Sequence, residues 1–70
     1  MSPRIATLAP DEILKPEQVC EIRHMTLKAL AQERVRGTGP KYIRDGRRIR
    51  YRASDLAAYF EAHTVTPEGA

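Results

Sequence analysis

The pair Asp45-Gly46 lies between two runs rich in β-branched, aromatic and basic residues, Lys41-Tyr42-Ile43-Arg44 and Arg48-Ile49-Arg50-Tyr51. An Asp-Gly pair in such a setting is a strong signal for a β-hairpin, because glycine accepts the positive φ of a tight turn. Two registers fit: a type I′ turn, or a three-residue loop in which Gly46 is the left-handed residue. Either one gathers Arg44, Arg47 and Arg48 at the tip. In the second run Ile49 and Tyr51 alternate with three arginines, which predicts one buried face and one cationic face.

A lone hairpin is marginal in water, so this one needs other elements to pack against. The chain has 70 residues, and nine of its apolar residues are alanines, which leaves only 20 large apolar side chains. A chain of this length buries about 60% of its unfolded surface, so we expect one small domain and no large enzymatic cleft. The single cysteine excludes an intramolecular disulfide and favours a reducing, cytoplasmic location.

Two helices are predicted before the hairpin. The first begins at Pro16, with Gln18 reaching back to the capping position at Lys15 and Leu14 stapled onto Val19. Arg23-His24-Met25 interrupts it, after which Thr26 caps a second helix that ends at Gly37. We expect the second helix to place one stripe against the core, made of Leu27, Leu30, Ala31 and Val35. The residues pointing away from this stripe are Lys28, Gln32 and Arg36.

A third helix is predicted after the hairpin, capped by Ser54-Asp55 and carrying Leu56, Tyr59, Phe60 and His63 at helical spacing. The expected organisation is a flexible leader over residues 1–12, a domain over residues 13–63 and a flexible tail over residues 64–70. No apolar run reaches membrane-spanning length, and the first ten residues do not have the pattern of a signal peptide.

Charge is strongly segregated along the chain. Residues 1–22 carry two basic and four acidic groups, residues 23–52 carry ten basic and two acidic groups, and residues 53–70 carry three acidic groups. The central segment therefore has a net charge of +8, and arginine outnumbers lysine nine to three in the whole chain. Because guanidinium groups bind phosphate with bidentate geometry, this segment favours a polyanionic partner.

The order helix, turn, helix, basic hairpin, helix predicts an α+β, mostly helical fold of the winged helix-turn-helix type. Three stretches resemble the excisionase and AlpA-type domains of phages and integrative elements, which are distantly related to MerR-type DNA-binding domains. They are Ile13-Leu14-Lys15-Pro16-Glu17-Gln18-Val19, Gly37-Thr38-Gly39-Pro40, and Asp45-Gly46-Arg47-Arg48-Ile49-Arg50-Tyr51-Arg52 with Ser54-Asp55-Leu56. The resemblance spans roughly residues 13–63.

This sequence departs from the family pattern at two positions. His24 stands where members usually have glycine, from which we expect a wider turn. Glu33 stands where an aromatic residue is common, from which we expect a less firmly anchored second helix. Family members also tend to have more arginines on the recognition helix, so no base preference carries over.

The resemblance implies DNA binding without catalysis or a cofactor. One implied role is that of an excisionase, or recombination directionality factor, which bends attachment-site DNA and assists a cognate integrase in excising the element. The alternative is an AlpA-type transcriptional regulator at a promoter. Expected partners are double-stranded DNA, the integrase and further copies of the chain bound cooperatively. A protein-interaction module is a third possibility, disfavoured by the +8 segment because interface cores are depleted of charge.

The expected DNA contacts lie on the second helix and on the hairpin. The helix residues are Thr26, Lys28, Gln32, Arg34 and Arg36, and the hairpin residues are Arg44, Arg47, Arg48 and Arg50. Lys28 and Gln32 lie one turn apart on a face that can meet base edges, whereas hairpin arginines suit a minor groove or its phosphates.

Other chemistry is poorly supported by the sequence. Cys20 and His24 have metal-ligand spacing, but no second pair completes a tetrahedral site. No orienting group makes Cys20 a nucleophile. The aromatic residues, Tyr42, Tyr51, Tyr59 and Phe60, are better explained as core than as base-stacking platforms.

Overall fold

The computed structural model describes residues 8–67. Residues 1–7 of the predicted leader and residues 68–70 of the predicted tail lie outside this range. The elements are β1 (Ile13–Leu14), α1 (Pro16–Arg23), α2 (Leu27–Arg36), β2 (Ile43–Asp45), β3 (Arg48–Arg52) and α3 (Ala53–Ala62). They form a small α+β fold with three helices and an antiparallel sheet in the order β1-β3-β2. The three predicted helices and the hairpin are confirmed, and β1 is an additional strand that the sequence did not predict.

The ends of α1 and α2 follow the local signals. The backbone N–H of Lys15 donates to Oε1 of Gln18 at 2.8 Å, and the N–H of Ala29 donates to Oγ1 of Thr26 at 3.1 Å. His24 ends α1 with φ at 56°, and Gly37 ends α2 with φ at 71°. His24 thus adopts the left-handed conformation that glycine favours, and the αL end of α1 is formed despite the histidine.

The strand register of the hairpin is defined by the pairs Ile43↔Arg50, Arg44↔Ile49 and Asp45↔Arg48. The loop therefore contains two residues, Gly46 and Arg47, which excludes the three-residue alternative. Gly46 has φ at 65°, whereas Arg47 is not among the described residues with positive φ. A positive φ at the first central position alone is typical of a type II′ turn, so the type I′ alternative is wrong.

The core draws on every element except β2. Its buried residues are Leu14, Val19, Cys20, Leu30, Tyr51, Ala53 and Leu56. Tyr51 is fully buried and pairs directly with Leu14 of β1, so the central strand β3 joins the sheet to the helices. The buried face predicted for β3 is confirmed at Tyr51, and Ile49 is half-buried against the same cluster.

The predicted core stripe of α2 is largely wrong. Leu30 is fully buried, but Leu27 is 49% exposed and Val35 is 88% exposed. The physical reason lies in two polar neighbours of Leu30. Glu33 and Arg34 follow Leu30 by one helical turn, and they bond to the side chains of Arg23 in α1 and Tyr51 in β3. The face of α2 that meets the rest of the fold therefore carries Leu30, Glu33 and Arg34, and Leu27 and Val35 lie to one side of it.

The predicted Ser54-Asp55 cap of α3 is also wrong. The helix begins at Ala53 directly after β3, and the side chain of Arg52, at the capping position, makes no capping bond. Instead the N–H groups of Ala53 and Ser54 donate to the carbonyl oxygens of Glu12 and Pro10, both at 2.9 Å. The segment before β1 therefore caps α3 through its backbone.

Candidate nucleic-acid interface

The outer surface of α2 carries two parallel rows of side chains, each spaced four residues apart. The polar row consists of Lys28, Gln32 and Arg36, all exposed. The apolar row consists of Leu27, Ala31 and Val35, of which Ala31 is half-buried. Neighbours at this spacing lie one above another on one helix face, so both rows run the length of the helix.

The hairpin divides its arginines between two faces. Residues opposite each other in an antiparallel pair share a face, so Arg44 lies on the same side as Ile49 and Tyr51. Arg48 and Arg50 lie on the other side, and Arg47 is in the loop. The predicted arginines therefore lie in and next to the hairpin loop, but they do not form a single face.

The helix α2 and the hairpin are adjacent and enclose a shallow concavity. Its basic lining residues are Lys28 and Arg34 from α2 and Arg47, Arg48 and Arg50 from the hairpin. Leu27 and Ala31 of α2 and one acidic residue, Glu17 of α1, also line it. A second concavity lies between the same elements, where Val35 of α2 and Arg44 of β2 both contribute to the lining. The structure thus brings Lys28 together with the hairpin arginines, whereas Gln32 and Arg36 line neither concavity.

Three of the predicted contact residues already make bonds within the protein. Nη1 of Arg50 donates to the carbonyl oxygen of Ile49 at 2.8 Å, within β3, and the other two bonds involve α2. The hydroxyl of Thr26 accepts the N–H of Ala29 as the cap of α2. Nη1 of Arg34 donates to the hydroxyl of the buried Tyr51 at 3.0 Å, and the guanidinium lies 5.9 Å from the ring centre of Tyr42. Both side chains therefore position α2, and a contact to DNA by either one stays a prediction.

Arg23 belongs to the basic segment but is committed to the fold. Its guanidinium donates to both carboxylate oxygens of Glu33, at 2.6 and 3.1 Å, and to the hydroxyl of Tyr59 at 3.2 Å. The hydrogen bond that Arg23 donates to Glu33 raises the pKa of Arg23 above its ordinary value. This network links α1, α2 and α3, so Glu33 anchors α2 through an ion pair.

The Gly37-Thr38-Gly39-Pro40 turn packs against this network. A Cβ at Gly39 would lie 2.8 Å from Oε1 of Glu33 and 3.1 Å from its Cβ, which only glycine avoids. Sequence reasoning missed the ion pair, because Arg23 and Glu33 are ten residues apart. The only signal was that Glu33 is one of just two acidic residues within the strongly basic segment.

A second ion pair within the protein involves one more cation of the basic segment, Arg52. Nη1 of Arg52 lies 3.3 Å from Oδ2 of Asp55 at the start of α3. The positive charge of the central segment is therefore concentrated on α2 and the hairpin, where the remaining cations form no ion pair within the described residues. Such a surface attracts anions and suits a phosphate backbone.

Other kinds of site find little support in the geometry. Over residues 8–67, no group of three or more His, Cys, Asp or Glu side chains is placed to hold a metal ion. Cys20 is buried, and its burial raises the pKa of the thiol, which disfavours the reactive thiolate. In the same part of the chain, no helix combines the length and apolar character needed to cross a bilayer.

No family model matches the sequence, and no curated protein shows significant similarity to it. The chemistry of the α2 and hairpin surface is therefore the basis for assigning a function.

Proposed function

We propose that this protein is a winged helix-turn-helix DNA-binding protein in which α2 enters the major groove and the β2–β3 hairpin is the wing. One observation carries the proposal: Lys28 and three hairpin arginines line one concavity, beside the exposed polar row of α2. In this arrangement the hairpin arginines can contact phosphates beside a groove while α2, which carries Lys28, meets base edges within it.

The dimensions of α2 suit this role. Its ten residues give a length of about 15 Å, and a major groove about 12 Å wide accepts an α-helix. Lys28 and Gln32 project from the exposed face of this helix, and both side chains can hydrogen-bond to base edges. The hairpin arginines suit phosphates or a narrow minor groove, where negative potential is enhanced.

Within this class we propose the role of an excisionase, a protein that bends attachment-site DNA and assists an integrase. The support is the resemblance of the turn and hairpin sequences to excisionase and AlpA-type domains. The proposed activity is binding alone, without catalysis or a cofactor. The alternative role, a regulator at a promoter, uses the same surface and is an outcome of the bending experiment described in the Discussion.

The salt dependence of duplex binding tests the proposal. Fluorescence anisotropy would give the dissociation constant for labelled duplexes at several salt concentrations. If four to six cations contact phosphate, the log–log slope should be about −4 to −5 per bound protomer, because each neutralised phosphate contributes about −0.9. A slope near zero would overturn DNA binding as the function.

A further inference from the structure

The apolar row of α2 has no place in the core that the structure describes. Leu27 and Val35 are among the few large apolar side chains of residues 8–67 that are exposed, and Ala31 lies midway between them. Scattered apolar residues are ordinary on a protein surface. Three such residues on one helix, at the surface proposed to meet DNA, form a continuous apolar strip that runs along the helix axis.

Charge on both sides of the row limits what can cover it. The polar row of α2, with Lys28 and Arg36, runs along one side. The hairpin lies on the other side. Leu27 and Ala31 line one concavity together with Arg47, and Ala31 and Val35 line the other together with Arg44. An occupant must therefore be strongly anionic at its edges and apolar in the middle. The interface of a second copy of this chain would bring like charges together, which disfavours it.

We propose that the row of Leu27, Ala31 and Val35 recognises thymine C5-methyl groups in the major groove, an inference that rests on the proposed DNA binding. The thymine methyl is the distinctive apolar group on the base edges of that groove, and apolar side chains are its usual partners. The row runs over nine residues, and the eight rises between Leu27 and Val35 give about 12 Å along the helix, which corresponds to roughly three to four base-pair steps. The protein then selects sites with thymines at both ends of such a stretch, while the polar row contacts hydrogen-bonding groups beside them.

Replacing thymine with deoxyuridine tests this inference, because the change removes the methyl group and leaves the base pair and its hydrogen bonds intact. A preferred site is first selected from a randomised duplex library by the full-length protein. Each thymine of that site is then replaced singly, and binding is measured by anisotropy. We expect a loss of about fourfold at one or two positions, the value for burying one methyl-sized group.

A double-mutant cycle assigns the methyl contact to a side chain. In the Val35→Ala variant the deoxyuridine penalty should disappear at one of the sensitive positions. The matched control is Val65→Ala, because Val65 is 84% exposed and lies beyond α3, away from α2. That control should keep the full penalty. Val35 is almost fully exposed and alanine favours a helix, so we expect neither variant to unfold at a lower temperature than the parent protein.

The outcomes separate the inference from the function on which it rests. Salt-dependent binding that is insensitive to deoxyuridine at every position would overturn methyl recognition and leave DNA binding in place. A penalty that persists in Val35→Ala and in Leu27→Ala would also overturn the assignment to this row. A change in the oligomeric state of the DNA-free protein on Val35→Ala would mean that the row is a protein interface. Absence of any salt-dependent binding would overturn the proposed function and the inference together.

Discussion

His24 holds a backbone conformation that most residues avoid. It is the only non-glycine residue with positive φ in the described part of the chain. The left-handed region costs a residue with a Cβ about 1–2 kcal/mol relative to the right-handed one. Its N–H caps α1 by donating to the carbonyl of Cys20. The turn between α1 and α2 thus keeps its αL residue at the expense of some local strain.

Replacing His24 with glycine should therefore stabilise the protein. We expect the free energy of unfolding to rise by about 0.5–1 kcal/mol, less than the full strain because glycine also gains freedom in the unfolded chain. Urea denaturation followed by circular dichroism would measure the change. His63→Gly is the matched control and should destabilise, because His63 has φ at −104° and its ring lies 4.1 Å from that of Tyr59. Destabilisation by His24→Gly would show that the imidazole stabilises the turn.

The two ion-paired arginines should differ in their importance for stability. The Arg23 side chain is only 12% exposed and binds Glu33 with two hydrogen bonds, whereas the Arg52 side chain is 46% exposed and makes one long contact. Arg23→Met leaves a partly buried carboxylate without its partner, and we expect a loss of about 1–3 kcal/mol. Arg52→Met should change the free energy of unfolding by less than about 0.5 kcal/mol. Equal losses in thermal or urea unfolding would contradict the assignment of Arg23 as the anchor of α2.

At the scale of elements, α2 and the hairpin present different chemistry to the proposed ligand. The hairpin offers arginines on both of its faces and in its loop. The exposed face of α2 mixes Lys28 and Gln32 with apolar side chains. Phosphate contacts position a protein on DNA, whereas base contacts give it sequence preference. The two elements should therefore contribute differently to affinity and to specificity.

Alanine substitutions on the two elements should separate these contributions. Arg47→Ala and Arg48→Ala should weaken binding about equally on all duplexes and make the salt slope shallower by roughly 1 each. Lys28→Ala or Gln32→Ala should cost about 1–3 kcal/mol mainly on the selected site. Lys15→Ala is the control, since Lys15 is an exposed cation before α1 and lines neither concavity. Hairpin variants that bind with parental affinity would show that the hairpin is not a DNA-contacting element.

At the scale of the whole molecule, size limits what one copy can do. The chain has a mass of 7.9 kDa, and one helix with one hairpin buries about 600–1,000 Å² on DNA, at the low end for a binding module. Two exposed acidic residues, Glu21 on α1 and Glu61 on α3, lie outside the basic segment and line neither concavity. They can face the positive surface of a neighbouring protomer or of an integrase, which favours assembly in an array.

We therefore expect several protomers to bind in phase with the helical repeat and to bend the duplex. The measurement is a circular-permutation gel shift on the attachment region, together with an excision assay that contains the cognate integrase. Cooperative bending with integrase-dependent excision supports the excisionase role, because an array can sum many small deformations. A single unbent complex at a promoter, with excision unaffected by deletion of the protein, would favour the regulator instead.

The sequence by itself determined the features that depend on neighbours within a few residues. Thr26 and Gly37 set the ends of α2, Gln18 caps α1, and Gly46 sets the place of the hairpin turn, because each acts through a backbone conformation or a bond to a nearby residue. The charge of the central segment is likewise fixed by composition. The candidate interface could therefore be assigned to α2 and the hairpin from the sequence, and its contact with DNA stays a prediction.

The tertiary structure alone decided the features that join residues far apart in the chain. The pairing of β1 with β3, the capping of α3 by the carbonyls of Pro10 and Glu12, and the Arg23 network depend on contacts with no local pattern. The rotation of α2 follows from the same cause. Periodicity shows that Leu27 and Val35 share a side of the helix, but the contacts of Leu30, Glu33 and Arg34 with other elements show which side of α2 meets the core.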